Sequence, residues 1–131
     1  MVMALVEGDP LISEGSLPMA PRRAIDVLAE VAAALEHIHK RGIIHGDVKA
    51  DNIMLTAEPA ASGARRRQIV RLLDFGLARG PDQHEHAATA ADGVSGSPHY
   101  LAPERCAGGP PSVQSDIYAL GENGVLLMCG C

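Results

Sequence analysis

Aromatic side chains are nearly absent: the 131 residues hold no Trp, two Tyr and one Phe. The apolar share is nevertheless 47%, so aliphatic residues, many of them Ala, must carry the core. Cysteine is scarce as well. Cys106, Cys129 and Cys131 are odd in number and form no C-x-x-C pair, which speaks against a disulfide framework and a zinc site. A reducing compartment fits this usage, so a cytoplasmic location is expected. No apolar run approaches the roughly 18 residues that span a membrane, so no membrane segment is expected. The start, Met1 to Val6, is apolar but lacks the basic flank and length of a signal peptide. The chain also lacks a basic surplus. Its net charge is −5, which gives no reason to expect a nucleic-acid partner, and Arg65-Arg66-Arg67 reads as a solvated loop.

What is present is enough chain for one domain with its own core, and one stretch dense in chemically competent groups: His45-Gly46-Asp47-Val48-Lys49-Ala50-Asp51-Asn52-Ile53-Met54-Leu55. Asp47 can accept a proton, Lys49 can neutralise phosphate charge, and Asn52 offers a neutral oxygen suited to a hard cation. An apolar, strand-like tail follows. A second acidic turn, Asp74-Phe75-Gly76, follows another apolar run, Ile69 to Leu73. A carboxylate and an amide oxygen on neighbouring strand ends can hold Mg²⁺ between nucleotide phosphates. Two polar turns closing a hairpin would look similar taken singly; their combination and order favour the chemical reading.

The first stretch resembles the catalytic loop H-R-D-[LIV]-K-P-x-N of eukaryotic-like protein kinases, and Asp74-Phe75-Gly76 matches their D-F-G. Gly46 departs from the usual Arg and Ala50 from the usual Pro. His-Gly-Asp is instead the opening found in aminoglycoside and choline phosphotransferases. Lys49, two places after Asp47, favours the Ser/Thr protein kinases. Further on, Gly96-Ser97-Pro98-His99-Tyr100-Leu101-Ala102-Pro103-Glu104 resembles G-T-P-x-Y-M-A-P-E, the close of their activation segment. Ser115-Asp116-Ile117-Tyr118-Ala119-Leu120-Gly121 resembles the start of the large buried helix of their lower lobe. The resemblance runs from about residue 2 to 121.

The resemblance implies an α+β, protein-kinase-like fold, made mainly of the helical lower lobe with hinge, catalytic loop and activation segment, with the small lobe largely absent. Residues 1–10 would be the last small-lobe strand and hinge, and residues 11–131 an incomplete large lobe. It implies Asp47 and Lys49 as catalytic residues and Asn52 and Asp74 as ligands of Mg²⁺ or Mn²⁺. Ala4, Val6 and Met54 would line the ATP site, with Met3 behind it. Ser97 would shape the pocket of the substrate hydroxyl. His45 would pack under Phe75 and bond to backbone rather than act as a base. Glu104 would pair with a later Arg, and Asp116 would cap its helix and hold catalytic-loop N–H groups. The implied reaction is transfer of the ATP γ-phosphate to a Ser or Thr of a protein substrate. The alternatives are an inactive fragment or pseudokinase serving as a binding module, and a small-molecule phosphotransferase. Because no glycine-rich loop or small-lobe Lys–Glu pair is recognised, the chain by itself is expected to have little activity.

Local patterns complete the expected layout. Residues 2–6 read as a strand and Glu7-Gly8-Asp9-Pro10 as a turn. Residues 11–20 read as a loop or short helix. Pro21 opens a helix over residues 21–41, with Ala24, Val27, Leu28, Val31, Leu35 and Ile38 as its apolar stripe and Gly42 as its stop. His37 and His39 fall on different faces and read as surface or packing residues. Residues 56–68 read as a long loop, and residues 77–97 as an exposed segment in which His84 and His86 are solvated. After Gly121 the resemblance stops, and Gly124 weakens any helix there by about 1 kcal/mol.

Overall fold

The computed structural model describes residues 8–12, 17–58, 67–73 and 100–130. The expected strand over residues 2–6, with Met3, Ala4 and Val6, lies outside them, as do Asp74, Phe75, Ser97 and the segment between.

Helix α1 spans Pro21–His39. Pro at its first position has no N–H to leave unpaired and a φ already suited to a helix. Ala24, Val27, Val31 and Leu35 are buried, while Leu28 and Ile38 pack from the margin of the stripe. The helix ends two residues before the expected limit. The Lys40 N–H bonds to Glu36 O, and the Arg41 guanidinium donates to His37 O at 2.8 Å. Gly42 then turns the chain with φ +72°.

Three antiparallel strands stand in the order β1 (Asp9–Pro10), β2 (Ile53–Glu58) and β3 (Arg67–Leu72). Two expectations are corrected here. Asp9 and Pro10, read as a turn, pair with Leu55 and Met54. Pro10 tolerates this because it sits on a sheet edge, where a missing N–H costs no interior bond. Thr56, Ala57 and Glu58, read as the beginning of a loop, pair with Ile69, Gln68 and Arg67. Backbone pairing propagates from the Ile53–Leu72 end without needing apolar alternation, and the Thr56 hydroxyl donates to Ile69 O at 3.3 Å. The Leu11 N–H extends the edge by bonding to Ile53 O at 2.9 Å, and no helix occurs among the described residues 11–20.

The sheet is held to α1 by one polar contact. The Glu30 carboxylate accepts the Val70 N–H at 2.9 Å. After the short helix α2 (Pro103–Cys106), helix α3 runs from Val113 to Cys129 and packs on α1. Its cap is Ser112, not Asp116. The Ser112 hydroxyl accepts the Ser115 N–H at 3.1 Å, and the Ser115 hydroxyl accepts the Ser112 N–H at 2.9 Å, so two otherwise unpaired donors are satisfied reciprocally. Asp116 lies one turn inside and is released for another task. Nor is α3 buried all round: Ile117, Tyr118, Val125 and Met128 are exposed.

The helix continues through Gly124 because its second half is anchored elsewhere. Leu127 is fully buried, and its carbonyl accepts the Met19 N–H at 2.7 Å. Gly124 faces Leu28, whose Cδ1 would lie 3.2 Å from an added Cβ. That contact is with the end of a half-buried, flexible side chain. Gly124→Ala is therefore expected to raise stability by about 0.5–1 kcal/mol through helix propensity. Thermal unfolding followed by circular dichroism checks this; a lowered midpoint would show that Leu28 cannot move aside.

Asn123 is a local conflict in this helix. Its side chain is fully buried, its Nδ2 donates to Ala119 O at 2.7 Å and to Val48 O at 3.4 Å, and its Oδ1 finds no donor among the described residues. A buried unpaired acceptor costs about 1–3 kcal/mol. Asn123→Leu, of similar size and apolar, is expected to stabilise the chain by about that amount. Urea unfolding of the two proteins measures it.

Candidate active site

The loop between α1 and β2 alternates anchors with presented groups. His45, Val48, Ala50 and Asn52 are buried, whereas Gly46, Asp47 and Lys49 are half-exposed. Each anchor fixes the direction of the polar residue next to it. A single 3₁₀ turn, Ala50–Asn52, closes the loop with Asn52 N–H bonded to Lys49 O at 2.9 Å. The turn brings Asn52 back onto Asp47. Asn52 Nδ2 donates to Asp47 O at 2.8 Å and to Asp47 Oδ2 at 3.2 Å, and Lys49 Nζ stands 3.0 Å from the same Oδ2. The three residues singled out from sequence thus meet at one carboxylate oxygen. With Nδ2 occupied, Oδ1 is the end of the Asn52 amide that can ligate a cation.

His45 is held at both ring nitrogens. Its Nε2 donates to Leu73 O at 3.0 Å, and its Nδ1 accepts the Asp47 N–H at 3.2 Å. These roles require the neutral ring with the proton on Nε2. Leu73 in turn donates its N–H to Asn52 O at 2.6 Å. The residue preceding Asp74 is therefore tied to both His45 and Asn52.

Behind the loop lies a contact that sequence reasoning reached only in part. Asp116, 1% exposed, accepts the His45 N–H on Oδ2 at 3.0 Å and the Gly46 N–H on Oδ1 at 2.9 Å. The same Oδ2 receives His39 Nε2 at 2.7 Å. His39 was expected only on the surface or in packing; it is half-buried and partnered across 77 positions, a separation at which spacing carries no signal. His37 is exposed, as expected of a surface residue. Gly46 takes φ +80°, a backbone region that costs side-chain-bearing residues about 1–2 kcal/mol. The glycine read as a missing Arg is thus also the residue best suited to the bend before Asp47.

A small cleft opens beside Asp47, walled by Gly46, Tyr100, Leu101, Ala102 and Arg105. Burial pushes the Tyr100 hydroxyl above the usual tyrosine range, with the Asp51 carboxylate adding to the rise and Lys49 opposing it. Met54 is half-buried in β2, between Arg71 and Pro10 in the pairing. Glu104 is exposed on α2, and its carbonyl accepts the Gly109 N–H at 2.8 Å. Ala4, Val6, Asp74, Phe75 and Ser97 fall outside the described residues.

The sequence matches the family described as "Protein kinase domain" over residues 1–131. The chain belongs to the protein kinase family. The match extends past Gly121, where the resemblance was expected to stop, in keeping with the unbroken α3. Among similar proteins, the serine/threonine-protein kinase PknB of Mycobacterium tuberculosis is 39% identical over 125 residues, covering 92% of this chain and 18% of PknB. The serine/threonine-protein kinase Pkn1 of Myxococcus xanthus is 35% identical over 130 residues, covering 99% of this chain and 18% of that protein. Pkn2 of the same organism is 38% identical over 125 residues, covering 92% of this chain and 14% of Pkn2. The chain thus spans less than a fifth of these kinases' length. Kinases of this family use ATP and a divalent cation in general. No described helix is long and apolar enough to cross a membrane.

Proposed function

We propose that this chain carries the phosphoryl-transfer loop of a Ser/Thr protein kinase. The observation that supports the reading best is the convergence of Lys49 and Asn52 on Asp47 Oδ2. Asp47 orients the acceptor Ser or Thr hydroxyl and takes its proton as the new P–O bond forms. Lys49, an ammonium beside that carboxylate, neutralises charge on the phosphoryl group in transit. ATP would supply that group, with Mg²⁺ or Mn²⁺ screening its phosphates. The donor set fits such a cation: Asn52 can turn Oδ1 outward, and Leu73 fastens the chain leading to Asp74 beside it. Asn52 and Asp74 would hold the ion, with Ala4, Val6 and Met54 along the nucleotide and Ser97 beside the acceptor. His45 serves as a strut, since both its ring nitrogens are committed. The partner is a protein substrate rather than a nucleic acid, and the reaction takes place in the cytoplasm.

The test joins this chain to a kinase small lobe bearing a glycine-rich loop, a Lys and its Glu partner, and supplies ATP labelled at the γ-phosphate. Label on protein Ser or Thr supports the reading. Label on choline or an aminoglycoside alone would move the chain to the small-molecule phosphotransferases, a reading that its kinase-named relatives disfavour.

Regulation follows from Gly46. In kinases with Arg at this place, a phosphorylated activation segment is held by that charge. Gly46 offers none, so activity of the joined protein is expected to be the same before and after phosphatase treatment. Thr89→Ala should change it by less than about threefold, since no phosphate-dependent ordering is lost. Full dependence on phosphate would instead direct attention to Arg71 and Arg79.

A further inference from the structure

We propose that His39 is a positioning residue for the catalytic loop, acting through Asp116. Three elements meet at this one carboxylate: the last turn of α1 through His39, the first turns of α3 through Asp116, and the loop through His45 and Gly46. Two backbone N–H groups on the loop need two oxygens in a fixed plane. An aspartate with only those two partners can rotate its carboxylate away from either. His39 Nε2, donating to Oδ2 at 2.7 Å, pins the plane.

The loop has little else to hold its orientation at this point. Gly46 has no side chain and the backbone freedom that goes with that. Asp47 follows directly, so a rotation at Gly46 displaces the carboxylate that acts on the acceptor hydroxyl. His39 touches neither substrate nor reacting atoms, and its 10%-exposed ring lies on the far side of Asp116 from the cleft. Its importance for phosphoryl transfer rests on the function proposed above; its grip on the loop does not.

The test is amide hydrogen exchange by NMR on the whole 131-residue chain, comparing wild type with His39→Phe and His39→Gln. Phe keeps a ring and removes the donor; Gln keeps a donor where Nε2 lies. The His45 and Gly46 amides of His39→Phe should exchange at least about tenfold faster, while amides in mid-α1 and β2 stay within about threefold. His39→Gln should restore both loop amides to within about threefold of wild type. Unchanged loop amides in His39→Phe would overturn the proposal. So would a uniform acceleration across the chain that Gln does not relieve. Should His39→Phe fail to fold, ¹⁵N spectra of the wild-type imidazole decide: a proton on Nε2 supports the grip, and a bare Nε2 overturns it. Exchange needs no catalysis, so a joined protein that transfers no phosphate would remove the proposed function and leave this result standing.

Discussion

Asp116→Ala is expected to lower the unfolding free energy by about 3–5 kcal/mol. The side chain is 1% exposed and accepts from the His45 N–H, the Gly46 N–H and His39 Nε2. Removing it leaves the buried His45 N–H without an acceptor, deprives Gly46 and His39 of theirs, and opens a void at the meeting point of α1 and α3. Each lost acceptor for a buried donor costs about 1–3 kcal/mol, and the losses fall in one network. The start of α3 should survive, because Ser112 and Ser115 cap it independently of Asp116. Urea unfolding followed by circular dichroism measures the loss, with Asp116→Asn as a milder comparison that keeps one acceptor oxygen. A change below about 1 kcal/mol for Asp116→Ala, the size of an ordinary surface substitution, would mean that water replaces the carboxylate and that the loop is held by other contacts.

Asp47→Asn is expected to lower turnover of the joined kinase by about 10²–10⁴-fold, the range of a lost general base. Its nucleotide affinity should stay close to wild type. The geometry makes this substitution selective. Lys49 and Asn52 both reach the same oxygen, Oδ2, and an asparagine can place its single carbonyl oxygen there and keep both contacts. The loop keeps its shape while the proton acceptor is lost. Asp74→Asn should behave differently and weaken metal-nucleotide binding as well. Single-turnover kinetics and nucleotide titration separate the two variants. Turnover within about tenfold of wild type for Asp47→Asn, short of the general-base range, would assign the proton to another group. Loss of folding in both variants would reduce the two motifs to turns.

The site was legible in sequence wherever one local pattern carried the information. Asp47, Lys49 and Asn52 stand close enough in the chain that any loop returning into a strand brings them together, and they converge on one oxygen. Helix α1 was legible because a three- and four-residue stripe beginning at Pro21 has no competing reading as a strand. The strand ends were not. Thr56–Glu58 and Arg67–Gln68 are polar, and their pairing is decided by a backbone ladder begun elsewhere, which composition does not record. Asp9 and Pro10 looked like a turn for the same reason; their partners lie more than forty residues away. Past Gly121, a helix-weakening glycine outweighed the apolar residues in the reading, whereas Leu127 in the core and the Met19 N–H outweigh the glycine in the fold.

By itself, then, the sequence determined the chemistry: which groups accept a proton, carry charge and ligate a cation, and the family to which their order belongs. Those properties reside in side chains and short spacings, which the chain carries whether folded or not. Only the tertiary structure decided how the chemistry is held. It made Ser112 the cap and freed Asp116 to face the loop. It brought His39 onto that carboxylate from the end of another helix. It bent Gly46 into positive φ and left one face of α3 exposed. Each of these follows from packing α1 against α3 across the loop, a contact between segments some ninety residues apart that no local pattern encodes.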